Sequence, residues 1–193
     1  MSISALFPGM EAYLDEELYL YHSVYNKQNY ATKLLNEYGV CSPEDIYALD
    51  KELFHKRVFD NYQERAKAFL HKTSVTDEDV LDFLNRGRLP LTAKCIFFAF
   101  DTDESLGLQH SDIIQLKIPM SVIEKYVVDK PIKVLGKKFT PITLKELKDN
   151  LFKLQRQAIE GSKKNNSNAL KYKYIVHCGI PMNPIPLSEC EIL

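Results

Sequence analysis

Glycine is scarce in this chain, with seven in 193 residues. No Gly-x-Gly-x-x-Gly run, no phosphate loop ending Gly-Lys-Ser/Thr and no Gly-x-Ser-x-Gly elbow occurs. The usual nucleotide-cradling loops and the serine-hydrolase turn are thereby excluded. No apolar run approaches the roughly 20 residues of a membrane-spanning helix, so no membrane partner is expected. The start, Met1 to Leu6, lacks the basic residues and apolar stretch of a secretory signal. An excess of one charge is lacking too: 25 Lys plus Arg stand against 26 Asp plus Glu, for a formal net charge of −1. Strong non-specific binding to nucleic acid needs a far more basic chain, because phosphate neutralisation drives it. The four cysteines, Cys41, Cys95, Cys178 and Cys190, form no Cys-x-x-Cys pair and have no histidine at zinc-ligand spacing. Neither a disulfide scaffold nor a metal site is expected, and the setting reads as reducing and cytoplasmic.

What is present suits one domain with a real core. The chain is 45% hydrophobic and carries 11 Tyr and 10 Phe. Asp15 to Val24 reads as a strand, rich in aromatic and branched residues. Asn26 caps a helix from Gln28 to Tyr38, with Tyr30, Leu34, Leu35 and Tyr38 at helical spacing and Gly39 as its C-cap. Ser42 and Pro43 open a helical stretch through Ile46, Leu49, Leu53, Val58, Tyr62 and Phe69. Thr76 caps a further helix from Glu78 to Asn85, whose acidic first turn suits the helix dipole. Cys95 to Phe100 is short, apolar and aromatic, as a buried strand is. Asp112 to Ile118 is another strand, stopped by Pro119. Lys133 to Phe139 forms a hairpin-like excursion. Thr143 and Glu146 make a capping box for a helix to about Ile159. Gly161 to Asn168 is a polar loop, Tyr172 to Cys178 a strand, and Pro181, Pro184 and Pro186 keep the tail extended. Strands broken by helices of unequal length indicate an α+β fold.

Among residues able to carry chemistry, His22 stands out at a strand end just before a helix, where an imidazole and nearby amides can point into a cleft. A half-exposed strand-end histidine is the alternative. His71 with Lys72 reads better as the basic end of a helix. Cys95 and Cys178 read as inert core thiols. Asp101 to Glu104 reads as a solvated turn rather than a cation site. Arg86 and Arg88, beside Gly87, read as a surface loop that can grip a phosphate. Lys163, Lys164, Lys171 and Lys173 make a local basic cluster.

Three segments in order carry a resemblance. They are Leu20-Tyr21-His22-Ser23-Val24 with the helix and Gly39 after it, Ala93 to Phe100, and Lys173-Tyr174-Ile175-Val176-His177. Together they resemble the ADP-ribosyltransferases of the diphtheria toxin and poly(ADP-ribose) polymerase branch: a His-Gly-Ser/Thr strand, a Tyr-Phe-Ala strand and a Glu-Tyr strand. The resemblance implies a split mixed β-sheet core, with residues 43–92 as a helical insertion, and a cleft that binds NAD as substrate. It implies that His22 holds a ribose and that the Ser23 backbone holds the nicotinamide carboxamide. Phe97, with Phe98 beside it, stacks on nicotinamide, and Lys173 occupies the position of the catalytic glutamate. Ser23 stands where the family has glycine, which narrows the backbone approach. A lysine at position 173 opposes the positive charge that develops on the sugar.

Three functional readings follow. One is an NAD-dependent transferase, an effector or toxin-like protein acting on a protein or nucleic-acid target, with another acid such as Glu44, Glu104, Glu189 or Glu191 entering the site. A second is a phosphate-substrate relative resembling RNA 2′-phosphotransferases, in which Arg86, Arg88 and Lys173 face phosphate. A third is a catalytically inactive protein-interaction module that uses the helical insertion.

Overall fold

In the computed structural model, the described residues are 18–25, 29–86, 92–99, 113–128, 132–135, 141–149 and 177–193. They form an α+β structure around a seven-stranded sheet. The strands are β1 (Tyr19–Tyr25), β2 (Cys95–Ala99), β3 (Ile113–Pro119), β4 (Ile132–Leu135), β5 (Pro141–Ile142), β6 (His177–Pro181) and β7 (Glu191–Ile192). Their order across the sheet is β5-β4-β6-β2-β1-β3-β7. Every ladder between them is antiparallel, which corrects the expected mixed sheet. The physical sign is the alternation of buried and half-buried positions along the C-terminal half of β3, which gives that strand one core face and one lighter face, the habit of antiparallel sheets.

The joints in this sheet are uneven. β1 and β3 are in register over their whole length, from Tyr19 opposite Pro119 to Tyr25 opposite Ile113. β2 and β6 are likewise paired from Cys95 opposite Pro181 to Ala99 opposite His177. β1 and β2, by contrast, share one registered pair among the described residues, Tyr21 opposite Ala99.

Directly opposed residues of an antiparallel ladder share a face. One face therefore collects Leu20, Val24, Leu116, Ile118, Ile96, Phe98, Cys178 and Ile180, all buried. Against it pack α1 (Tyr30–Tyr38) through Ala31 and Leu35, a helix after β3 (Met120–Tyr126) through Met120 and Ile123, and helical residues 144–149 through Leu144 and Leu147.

A second apolar cluster lies within the helical stretch that follows α1. Its elements are α2 (Pro43–Leu49), α3 (Lys51–Phe54), a π turn (His55–Phe59), α4 (Asp60–Leu70) and α5 (Asp77–Arg86). Ile46, Leu53, Phe54, Val58, Ala66, Val80 and Leu84 pack together there. Leu34 of α1 joins this cluster while Ala31 and Leu35 join the sheet cluster, so one helix serves both.

The caps follow the sequence closely. Ser42 and Asp45 form a reciprocal capping box ahead of Pro43. Thr143 and Glu146 form another. His71 closes α4 in a left-handed conformation, φ 55°, a helix-end role and not a site. α1 begins after Asn29, at φ 61°, whereas the expected cap Asn26 lies outside the described residues. Gly39 has φ 77°, and a Cβ built on it would sit 2.1 Å from the Ile185 carbonyl oxygen. That contact is close because Val40 and Ile185 exchange two backbone hydrogen bonds, of 2.8 and 2.9 Å.

Two stability outcomes follow. Gly39→Ala adds a strained φ and a clash with backbone, and is expected to cost at least about 2 kcal/mol. Ser42→Ala removes a buried cap and is expected to cost about 1 kcal/mol. Urea denaturation of the three proteins measures both. A Gly39→Ala midpoint equal to wild type would show that the Val40–Ile185 pairing yields freely.

Candidate functional site

β1 and β2 part just beyond Tyr21 and Ala99. From His22 onward β1 has no ladder partner on its β2 side among the described residues, while β2 is fully engaged with β6. The His22 side chain spans the start of this parting. Its Nδ1 lies 2.7 Å from the Phe97 carbonyl oxygen. A carbonyl only accepts, so Nδ1 carries the hydrogen, and a neutral ring then has its lone pair on Nε2. The ring also meets Phe98 edge-on, with centroids 5.9 Å apart. Burial of the imidazole pulls its pKa down to about 4, against the opposing effect of the bond to Phe97, and the charge of Arg57 pulls it further down. His22 is therefore neutral at pH 7, a hydrogen-bond acceptor at Nε2 and a donor at Nδ1.

Arg57 was not expected at this site. It lies on the π turn, four residues after buried Leu53 and next to buried Val58. A charged residue on the inward stripe of a helix was the available signal. Loss of solvation lowers its pKa, and the groups that act on it are Tyr62 and Cys41. Among the described residues no carboxylate forms an ion pair with its side chain. Its neighbour His55 does have one, Asp77, at 2.7 Å.

The other site residues divide by the pleat of the strands. Ser23 opposes Gln115 and belongs to the face of Tyr19, Tyr21 and Lys117, not to that of His22. Phe97 opposes Gly179 on that same face, and its ring covers the glycine: a Cβ at Gly179 would lie 2.9 Å from Phe97 Cε1. Phe98 is fully buried in the sheet core, so its ring is used in packing. His22 thus meets the side chain of Phe98 but only the backbone of Phe97. Lys173 lies outside the described residues, as do Arg88, Glu104, the Asp101 to Glu104 turn and the lysines at 163, 164 and 171.

The remaining candidates have other occupations. Arg86 pairs with Asp82 one turn earlier. Glu189 accepts from Lys125 and Tyr126, and Glu191 pairs with Lys117. Glu44 sits in the first turn of α2. Burial raises the Cys41 thiol to about 12 and the Cys178 thiol higher still, so neither offers a thiolate at neutral pH.

No family model, curated protein or solved structure matches this chain. Among the described residues no three His, Cys, Asp or Glu side chains group as metal ligands, and no helix is long and apolar enough to cross a membrane.

The His22 environment has a pH consequence. The group binds its proton near pH 6.5 in the unfolded chain and near about 4 in the folded protein. Above the unfolded value neither state is protonated and the contribution of the buried neutral ring is complete. As pH falls between those two values, the unfolded chain takes up a proton that the folded protein excludes, and roughly 3 kcal/mol of stability is lost. His22→Gln keeps a donor for Phe97 without titrating. Its denaturation free energy is expected to fall less steeply than wild type across that window; parallel profiles would show that His22 titrates normally.

Proposed function

We propose that the parting of β1 and β2 is the cleft of an ADP-ribosyltransferase-like protein that binds NAD. The observation that carries this reading is the parting itself. It has His22 and Ser23 on one side, Phe97 on the other, and between them a strand edge with no ladder partner among the described residues. The segments behind the resemblance also fall on neighbouring strands: β1, β2 and, for the last of its residues, β6.

Each part has a role in such a cleft. Neutral His22 accepts a ribose hydroxyl at Nε2 while Phe97 holds the ring in place from the other nitrogen. The open edge of β1 supplies backbone groups to a carboxamide, as an edge strand supplies them to any extended partner. The half-buried Phe97 ring offers a stacking surface on the opposite face of the sheet. Among the described residues no acid acts on His22, and Glu189 and Glu191 are held by surface lysines. Binding therefore has more support than transfer of ADP-ribose to a macromolecular target. The cation near His22 favours, as a second reading, the relative that acts on a phosphate-bearing substrate such as a 2′-phosphorylated RNA.

Calorimetric titration with NAD, beside the His22→Ala variant, tests the first reading. NAD is expected to bind the wild type and to lose at least about tenfold in affinity in the variant, through the lost hydrogen bond. Far-UV circular dichroism should be unchanged. Equal affinity for both proteins would move the cleft away from His22. No affinity for NAD, with binding of a 2′-phosphorylated oligonucleotide, would favour the second reading.

A further inference from the structure

Gly179 and Phe97 carry an inference that deepens the proposed cleft and rests on that reading for its ligand. Glycine weakens the interior of a strand, because it has no side chain to pack. Gly179 nevertheless sits inside the sheet, opposite Phe97 of β2 on one side and Lys133 of β4 on the other. Backbone conformation does not call for it: Gly39 has a positive φ and Gly179 does not. What the glycine leaves open is space. A Cβ at Gly179 would lie 2.9 Å from Cε1 and 3.2 Å from Cζ of Phe97, and 3.5 Å from Cβ of Cys95. The Phe97 ring therefore leans across the ladder onto β6 and fills the place of the absent side chain. Phe97 is half-buried and belongs to neither apolar cluster, whereas its neighbours Ile96 and Phe98 are buried within one.

The obstacle at Gly179 differs in kind from that at Gly39. At Gly39 a side chain would meet the backbone of Ile185, which is fixed by its own pairing. At Gly179 it would meet the far edge of an aromatic ring, which can turn about its side-chain torsions. We propose that Gly179 is a positioning residue: its lack of a side chain holds the Phe97 ring in the orientation in which it stacks on a flat ring of NAD. Alanine at this position keeps the strand and turns the ring. Alanine also restricts the unfolded chain, which offsets the lost contact between ring and glycine. The sheet then keeps its stability while the stacking surface changes.

The test uses the full chain with NAD as the probe in calorimetry, beside thermal unfolding and the NMR shifts of the Gly179 α protons. In the wild type those protons are expected to carry a ring-current shift from Phe97 that Phe97→Leu removes. Gly179→Ala is expected to melt within about 3 °C of the wild type. Its affinity for NAD should fall roughly threefold to tenfold, the worth of one aromatic contact. Phe97→Leu should lose at least as much. The double variant should bind like Phe97→Leu alone, since the glycine acts only through the ring; a residue that merely supported the sheet would add a loss of its own. Three results overturn the inference: full affinity in Gly179→Ala, additive losses in the double variant, or a Gly179→Ala protein that melts far below the wild type or does not fold, which would show that the ring does not yield. A wild type with no affinity for NAD refutes the NAD reading and leaves the decision to the NMR shifts. A Gly179 shift lost in Phe97→Leu then upholds the glycine as the seat of the ring, and an unchanged shift overturns it.

Discussion

The hydrogen bond from His22 to the Phe97 carbonyl is the constraint on which the sheet's architecture turns. The strands divide into a β7-β3-β1 part and a β2-β6-β4-β5 part, joined among the described residues by one registered pair, Tyr21 with Ala99. Immediately beyond that pair, a side chain takes over from the backbone. Such a bond contributes only about 1 kcal/mol net, yet leaving the carbonyl unsatisfied in a buried setting costs roughly 1–3 kcal/mol. It also fixes the tautomer and direction of the imidazole. The bond that follows the last described β1–β2 pair therefore determines which ring nitrogen of His22 stays free to accept. A backbone ladder continued past Tyr21 would have closed that opening.

The joint does not stand alone. Leu20 and Val24 of β1 and Ile96 and Phe98 of β2 belong to one cluster, so packing holds the two parts together where the ladder does not. The chain's last described segment ties further edges. Val40 pairs with Ile185, Val127 with Met182, and the Leu193 amide donates to Gln115 at 3.0 Å. Gly39 is the position where this arrangement leaves no choice of residue. The chain must leave α1 with positive φ and at once pair with Ile185, and any side chain there would meet that residue's carbonyl. α1 then carries the geometry to the helical stretch, since Leu34 faces one cluster and Leu35 the other.

Much of this was legible in the sequence wherever a local rule decides the outcome. The Ser42-Pro43 start, the acidic first turn after Thr76, the Thr143–Glu146 box and the Gly39 cap each need only three or four neighbouring residues, and each occurs as read. The strands at 95–99 and 113–119 were legible from length, apolar character and Pro119. His22 was read as a strand-end residue just before a helix, whereas it lies in the middle of β1, next to the Tyr21–Ala99 pair. Ladder direction was not legible, because it depends on which strands meet, and the expected mixed sheet is antiparallel in its described ladders. Nor was the assignment of Ser23 and Phe97 to one face and His22 and Phe98 to the other. That depends on a register set by a single pair between strands more than 70 residues apart. Arg57 left only a faint trace, a cation within an apolar stripe. The π turn that carries it comes from packing that no local pattern encodes.

The charge pattern at the parting separates two kinds of chemistry. Stabilising a sugar that gains positive charge calls for a nearby anion, and its value rises as water is excluded. Among the described residues the charge that acts on His22 is that of Arg57, which lowers its pKa. Such a field opposes a developing cation and attracts a standing anion. It adds to the loss of solvation, the larger cause, in keeping His22 unprotonated. The one charge that acts on His22 among the described residues therefore does nothing to favour a developing sugar cation at this position.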